Sequence, residues 1–506
     1  MRLYSCRPSG SKRSVAAPLV VCALAGLLGA VQPLAAWARN PRAEKLAGKT
    51  EANAADESTA DSDNGGEKQT PPSSASKSAA KDGVPRNVQR QILQQIKGKK
   101  SENRVESVYE LAEYPSVDAA KILVQHGLTS KFEEVRKAAY ETLVGMVDNQ
   151  EVCDFLLQTV RKDTSRTPPR ETTCALLAAV LASDLEPVQK ETGEILAKAA
   201  KQPKGGLLLP ISLADELGRM ADPISISTLV KLSKQPLFEQ EFSVRRSIVL
   251  ALTQAQEPDA VEALLDILDK ATGEVRSDIS RYMTAISGEQ HEVDAKAWRQ
   301  WWEAHKEGFE FPPRGVRAVA RAAPVRSMSQ YYGMPIYAQR LVFVIDASLS
   351  MRGDRIEAAK NELINAINEL PEGVYFDVIA FHVSVAPWQK KLVIASPENK
   401  KLAIMFVRSL DLGRATVSYD ALEAALDFDT ESIYFLTDGV PRGGKTDNTF
   451  QIVDILTRLN RVRRVTINSI GIDAGPEGNP FDDFLKTLAA NNYGEYRRVD
   501  QVPEVR

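Results

Sequence analysis

From about Val84 to Pro312 apolar residues return every three or four positions, in runs of ten to sixteen residues broken by Pro, Gly, Asp or Asn. That period marks amphipathic helices, each with one face turned to a core. In VRKAAYETLVGM the residues Val135, Ala139, Leu143 and Met146 share such a face. VRRSIVLALTQ from Val244 and VRSDISRYMTAI from Val275 open alike, a step of 31 residues, and DAVEALLDILDKA from Asp259 supplies an antiparallel partner between them. Beyond residue 338 the pattern changes. LVFVID (341–346) is a near-continuous apolar run, as expected of a strand buried on both faces, and a helix to about Leu370 follows it. YFDVIAFH, a short KLVIA, helices at 397–410 and 419–427, SIYFLTDG, a helix near 449–461, VTINSIGID, a helix at 480–490 and a final EYRRV continue the alternation. Strand and helix in turn predict a doubly wound, Rossmann-like α/β sheet whose ligands bind beyond the carboxyl ends of its strands.

The chain therefore reads as multidomain: an α-helical region at 85–312, a linker at 313–337 and an α/β domain at 338–506. A helix-pair step near thirty residues resembles the HEAT-type α-solenoids, with an irregular all-helical domain as the alternative. The last helix of this region, DAKAWRQWWEAHK, puts Trp298, Trp301, Trp302 and His305 on one side. Aromatic residues at that spacing close a core more often than they line a ligand box.

Composition changes the picture mainly at the N-terminus. The first 38 residues hold Arg2, Arg7, Lys12 and Arg13 and no acid, then an apolar run from Val15 to Val31 and the small-x-small triplet Ala36-Trp37-Ala38. This is the layout of an export signal; an uncleaved N-terminal anchor is the alternative, and the only membrane attachment expected. Either way the remainder is placed outside the cytoplasm: periplasmic, secreted or at the cell surface. Residues 39–84 lack aromatic and large aliphatic side chains over most of their length and read as a disordered, low-complexity linker. Overall the chain is ordinary, 43% hydrophobic and 26% charged, with net charge −3. A mildly acidic chain argues against a broad nucleic-acid surface. Four cysteines are too few for a disulfide scaffold; Cys153 and Cys174, among apolar helical residues, are expected as buried free thiols.

The candidate chemistry stands where the first strand of the α/β domain ends. Asp346-Ala347-Ser348-Leu349-Ser350 is an Asp-x-Ser-x-Ser motif that turns three oxygen-bearing side chains one way from a tight loop. One carboxylate with two hydroxyls is a hard-oxygen set, suited to Mg²⁺ or Mn²⁺ and poorly to zinc. Gly413-Arg414-Ala415-Thr416 before a later helix, and Thr437-Asp438-Gly439 after a later strand, reach the same sheet edge. In these motifs, their order and the order of strands and helices, the C-terminal third resembles the von Willebrand factor A family and its metal-ion-dependent adhesion site. The resemblance implies that Asp346, Ser348, Ser350, Thr416 and Asp438 coordinate a divalent cation, Mg²⁺ first with Mn²⁺ or Ca²⁺ as alternatives. It also implies that the cation accepts an acidic side chain from a protein partner, and that no bond is broken.

Two departures from the family pattern bear on this. Leu349 stands where Gly is common, and Arg414-Ala415 replaces Gly-Gly ahead of the threonine. A second motif competes: Gly439 to Thr446 fits G-x-x-x-x-G-K-[ST], the phosphate-cradling loop. About sixty residues after Thr446 are too few for the rest of a nucleotide-hydrolase core. His382, at the end of the second strand, lacks a nucleophile partner and is expected to be structural. The expectation is thus an exported, non-enzymatic, cation-dependent adhesion or assembly protein with an A-type domain on a helical scaffold. A metal-free scaffold with two protein-interaction domains, and a nucleotide-dependent enzyme or ATPase helper, are the alternatives.

Overall fold

The computed structural model describes residues 83–98, 101–164, 169–202, 206–312 and 329–500. The expected export signal at 1–38, nearly all of the linker at 39–84 and most of that at 313–337 lie outside them.

Fourteen α-helices run from Arg86 to His305, with no strand among the described residues of that stretch. Their starts follow from local chemistry. Asn149, Asp222 and Asp294 accept the first free amides of the helices they precede, and Pro223, Pro236 and Pro258 occupy first-turn positions where a missing N–H costs nothing. The face predicted at Val135, Ala139, Leu143 and Met146 is buried, as are the two repeat-opening valines, Val244 and Val275. Helices 208–220 and 242–252 pack closely because position 218 is glycine: a Cβ there would lie 2.8 Å from Ala251. Trp298 and Trp302 are fully buried, with Trp301, Phe309 and Phe311 edge-on around them. His305 stacks on Trp301 and bonds its carbonyl oxygen at 2.7 Å, a packed end residue of that helix. Cys153 and Cys174 are buried free thiols, and burial pushes them up to about 11 and about 12, far from the thiolate that reacts.

The C-terminal domain opens with a feature its sequence did not announce. Residues 330–335, inside the stretch read as linker, form a two-stranded hairpin, β1 (Gln330–Tyr331) and β2 (Met334–Pro335), with Tyr331 and Met334 buried in the domain core. The main sheet has strands β3 (Arg340–Asp346), β4 (Tyr375–Phe381), β5 (Val385–Pro387), β6 (Val393–Ile394), β7 (Ser432–Thr437), β8 (Thr466–Ile472) and β9 (Tyr496–Val499). The order is β5-β4-β3-β7-β8-β9; β6 also pairs with β4, and β5 and β6 are the antiparallel members. Alternation along β3 feeds two cores. Leu341, Phe343 and Ile345 join the layer of helices α1 (Asp354–Glu369) and α2 (Pro397–Arg408); Val342 and Val344 join that of α3 (Ser418–Leu426), α4 (Thr449–Arg463) and α5 (Pro480–Ala490). The predicted doubly wound topology is therefore present, with the carboxyl ends of β3, β7 and β8 on one edge.

The helical region meets the opposite edge, where the parallel strands begin, through charged and polar groups. Arg246, fully buried, donates to both carboxylate oxygens of Asp278, to the carbonyl of Arg464 at 2.7 Å and to the hydroxyl of Thr466 at 2.8 Å. Thr466 in turn donates to Glu274 at 3.0 Å. Arg464 reaches back with a bidentate pair to Asp215 and a bond to the Tyr493 hydroxyl. Glu431, just ahead of β7, accepts the amides of Gln339 and Glu274. Every one of these contacts lies at the amino ends of strands, the edge opposite the carboxyl-end loops.

Candidate functional site

Asp346 is the last residue of β3 and is completely buried. One carboxylate oxygen accepts the Ser348 amide at 2.7 Å, the Asx-type bond that tightens the loop after the strand. The other accepts the Thr437 hydroxyl at 2.6 Å from the end of β7. Both donors are neutral, and burial pushes the Asp346 carboxyl up to about 6 against the pull of those hydrogen bonds. The Ser348 and Ser350 hydroxyls lie 2.8 Å apart, and Ser350 donates to Asp438 at 2.7 Å. Four of the five expected ligands, Asp346, Ser348, Ser350 and Asp438, thus form one connected cluster at the sheet edge.

Thr416 arrives by backbone. The Gly413 amide donates to the Ala347 carbonyl at 2.9 Å, Leu349 donates to the Gly413 carbonyl, and Thr416 and Arg442 bond each other in both directions. This ties loops 347–351, 413–417 and 438–442 together and buries Thr416 between them. Gly413 has a steric reason of its own: a Cβ there would meet the His382 ring at 2.5 Å. His382 accepts the Val383 amide and packs as a wall under this loop, the structural role expected of it. Of the side chains that depart from the family pattern, Arg414 and Leu349 are exposed, while Ala415 is half-buried and packs against the core.

Two participants escaped the sequence reading. Thr437, part of the Thr-Asp-Gly triplet, holds the second oxygen of Asp346. Arg355, in the first turn of α1, donates to the Ser350 carbonyl and to Asp438, both at 3.1 Å, and pairs with Asp473 at the end of β8. A cation at a helix N-terminus opposes the helix dipole, and that was the available signal.

The donor set fits a hard divalent cation by its chemistry: two buried carboxylates, Asp346 without a cationic partner and Asp438 facing Arg355, with hydroxyls between them. Among the described residues no group of three or more His, Cys, Asp or Glu side chains is placed to hold a metal, so this hydroxyl-rich cluster is unlike a zinc site.

The Gly439–Thr446 segment lacks phosphate-loop geometry. Lys445 is paired with Glu423, its amide donates to Asp420 at 3.0 Å, and α4 starts only at Thr449, past the threonine that would have to open it.

Residues 339–498 match the von Willebrand factor type A domain family. Among curated proteins, mouse inter-alpha-trypsin inhibitor heavy chain H3 is 29% identical over 185 residues, 33% of this chain and 20% of that protein. The human heavy chain H1 is 29% identical over 175 residues, 32% of this chain and 18% of that one. The match spans about a fifth of the length of these relatives. Among solved structures, a von Willebrand factor type A protein from Catenulispora acidiphila is 20% identical, covering 33% of this chain and 40% of that chain with a TM-score of 0.28. Proximal thread matrix protein 1 of the mussel byssus is 22% identical, covering 31% and 41% with a TM-score of 0.26. From residue 339 to residue 498 the chain is a von Willebrand factor type A domain, carried behind a helical region.

Proposed function

We propose that this chain is an exported, non-enzymatic protein-binding protein whose A-type domain captures an acidic side chain of a partner through a divalent cation. In this reading Asp346, Ser348, Ser350, Thr416 and Asp438 hold the ion, directly or through water, with Mg²⁺ favoured over Mn²⁺ and Ca²⁺. The observation that carries it is the hydrogen-bonded run from Asp346 through the Ser348 amide and the Ser348 and Ser350 hydroxyls to Asp438, at the carboxyl edge of the sheet. Thr437 orients Asp346, and the bonded loops 347–351 and 413–417 fix the two serines and the threonine before any partner arrives. When bound, the cation would supply an open coordination position for a carboxylate. The matches to A-type domains support a protein-interaction role, and the basic, apolar and small-residue layout of residues 1–38 supports export.

Calorimetric titration of the full chain with Mg²⁺ or Mn²⁺ tests this reading. Saturable binding that Asp346→Ala abolishes is expected; binding that survives in the variant would rule the assignment out. The metal-free scaffold is the second reading, and the ion pair between Arg355 and Asp438 favours it, since a guanidinium already faces that carboxylate.

A further inference from the structure

We infer that Arg355 sets the cation threshold of this site, as a built-in guanidinium that shares the Asp438 carboxylate with an incoming divalent ion. The inference rests on the cation-binding reading above and concerns one side chain that the reading does not use.

The Asp438 side chain is fully buried and its two oxygens are divided. Oδ1 accepts the Ser350 hydroxyl at 2.7 Å, on the side of the serine cluster, and Oδ2 faces Nη1 of Arg355 at 3.1 Å. The same Nη1 donates to the Ser350 carbonyl at 3.1 Å, so the guanidinium touches the loop that carries two expected ligands. Its other nitrogen, Nη2, is held by Asp473, half-exposed at the far side. Arg355 therefore bridges two carboxylates, one inside the site and one outside it. The bridge is rooted in the first turn of α1, two residues past Gly353.

The electrostatic consequence has a definite sign. With Arg355 in place, one of the two site carboxylates is already partnered by a full positive charge, and only Asp346 remains without one. A divalent ion entering the cluster meets this charge a few ångströms away and is repelled by it. Asp473 offers the guanidinium a second counter-charge, so Arg355 can lean outward while the ion takes Asp438. Cation binding then requires a concentration set by the balance between Asp438 and Asp473 as partners of Arg355. The same positive charge beside the ion favours an acidic side chain arriving from a partner.

Titrating Mn²⁺ into the full chain by calorimetry, with Arg355→Gln, Arg355→Lys and Asp473→Asn beside the unaltered protein, tests the inference. Arg355→Gln is expected to tighten Mn²⁺ binding roughly tenfold, a size consistent with one partly screened unit charge at this distance. Arg355→Lys keeps the charge and is expected to stay within about threefold of the parent, a rescue that a purely packing role would not produce. Asp473→Asn removes the outer partner and is expected to weaken binding several-fold; it also serves should Arg355→Gln fold poorly. Mn²⁺ binding to the parent that Arg355→Gln leaves unchanged or weakens would overturn the inference and leave the cation site intact. Silence in the parent and in every variant would overturn both.

Discussion

Asp377 lies in the middle of β4, completely buried, with one oxygen on the Gln389 amide at 3.0 Å and the other without a hydrogen-bond partner. Burial pushes its carboxyl up to about 7. The folded protein thus takes up a proton near neutrality, whereas the unfolded chain does so only near pH ~4. Stability that is fully present below about pH 4 is lost progressively as pH rises from there through 7, and stays lost above it. Asp377→Asn removes the titrating charge and is expected to raise stability at pH 8 by about 2–3 kcal/mol more than it does at pH 5. Urea unfolding at the two pH values checks this, and equal effects at both would contradict it. Gly413→Ala, by forcing a methyl against the His382 ring, is expected to cost about 1–3 kcal/mol in the same assay. At this scale the meeting of Asp346, Ser348, Ser350 and Asp438 at one sheet edge was legible, because short motifs place oxygens on tight loops after buried strands. Arg355 and Thr437 were not: their partners are 83 and 91 residues away in sequence. Asp377 falls inside the predicted YFDVIAFH strand, and its burial follows from the two layers of helices that cover both sides of β4.

At the scale of elements, periodicity told helix from strand, since a 3.6-residue and a two-residue repeat cannot bury the same side chains. It also placed the aromatic helix correctly as core. Trp302, fully buried against Phe309 and Phe311 and bonded to Glu262 at 2.9 Å, should be worth about 3–5 kcal/mol on truncation to alanine, measured by thermal or urea unfolding. A loss below 1 kcal/mol would mean that the cluster is peripheral. The β1–β2 hairpin was missed because two-residue strands carry no usable period, and its turn residues, Tyr332 and Gly333, both at positive φ, look like any linker turn. The Gly439–Thr446 match misled for a related reason. A motif records residue types at a spacing, while phosphate binding needs the helix to begin at the lysine, and here it begins later with Lys445 already paired to Glu423.

On the scale of the whole molecule, buried ion pairs and hydrogen bonds join the helical region to the A-type domain, with Val462 packed against the helical core beside them. Nothing in the local pattern of VRRSIVLALTQ distinguishes Arg246 from a solvated arginine; its partners Asp278, Thr466 and Arg464 come from two separate segments, one of them more than 200 residues away. Arg246→Met would leave the buried Asp278 and Glu274 with the part-exposed Arg281 as their remaining cation, and a loss of about 2–3 kcal/mol is expected, seen as an A-type domain that unfolds or exchanges amide hydrogen separately from the helices. Wild-type exchange at Thr466 and Arg464 in that variant would contradict it. Because this junction occupies the amino ends of the strands, the helical region can hold the domain while its carboxyl-end loops face outward. No helix among the described residues is long and apolar enough to cross a membrane.

That account stands or falls on the ion. Its most direct test is thermal unfolding of the full chain in EDTA and then in millimolar Mg²⁺, beside Asp346→Ala. A cation at 100 times its dissociation constant adds about 2.7 kcal/mol, and the transition of the A-type domain is expected to rise by several degrees in the parent and not at all in the variant. A parent that melts at the same temperature in EDTA and in Mg²⁺, or a variant that shifts as far as the parent, would contradict the account.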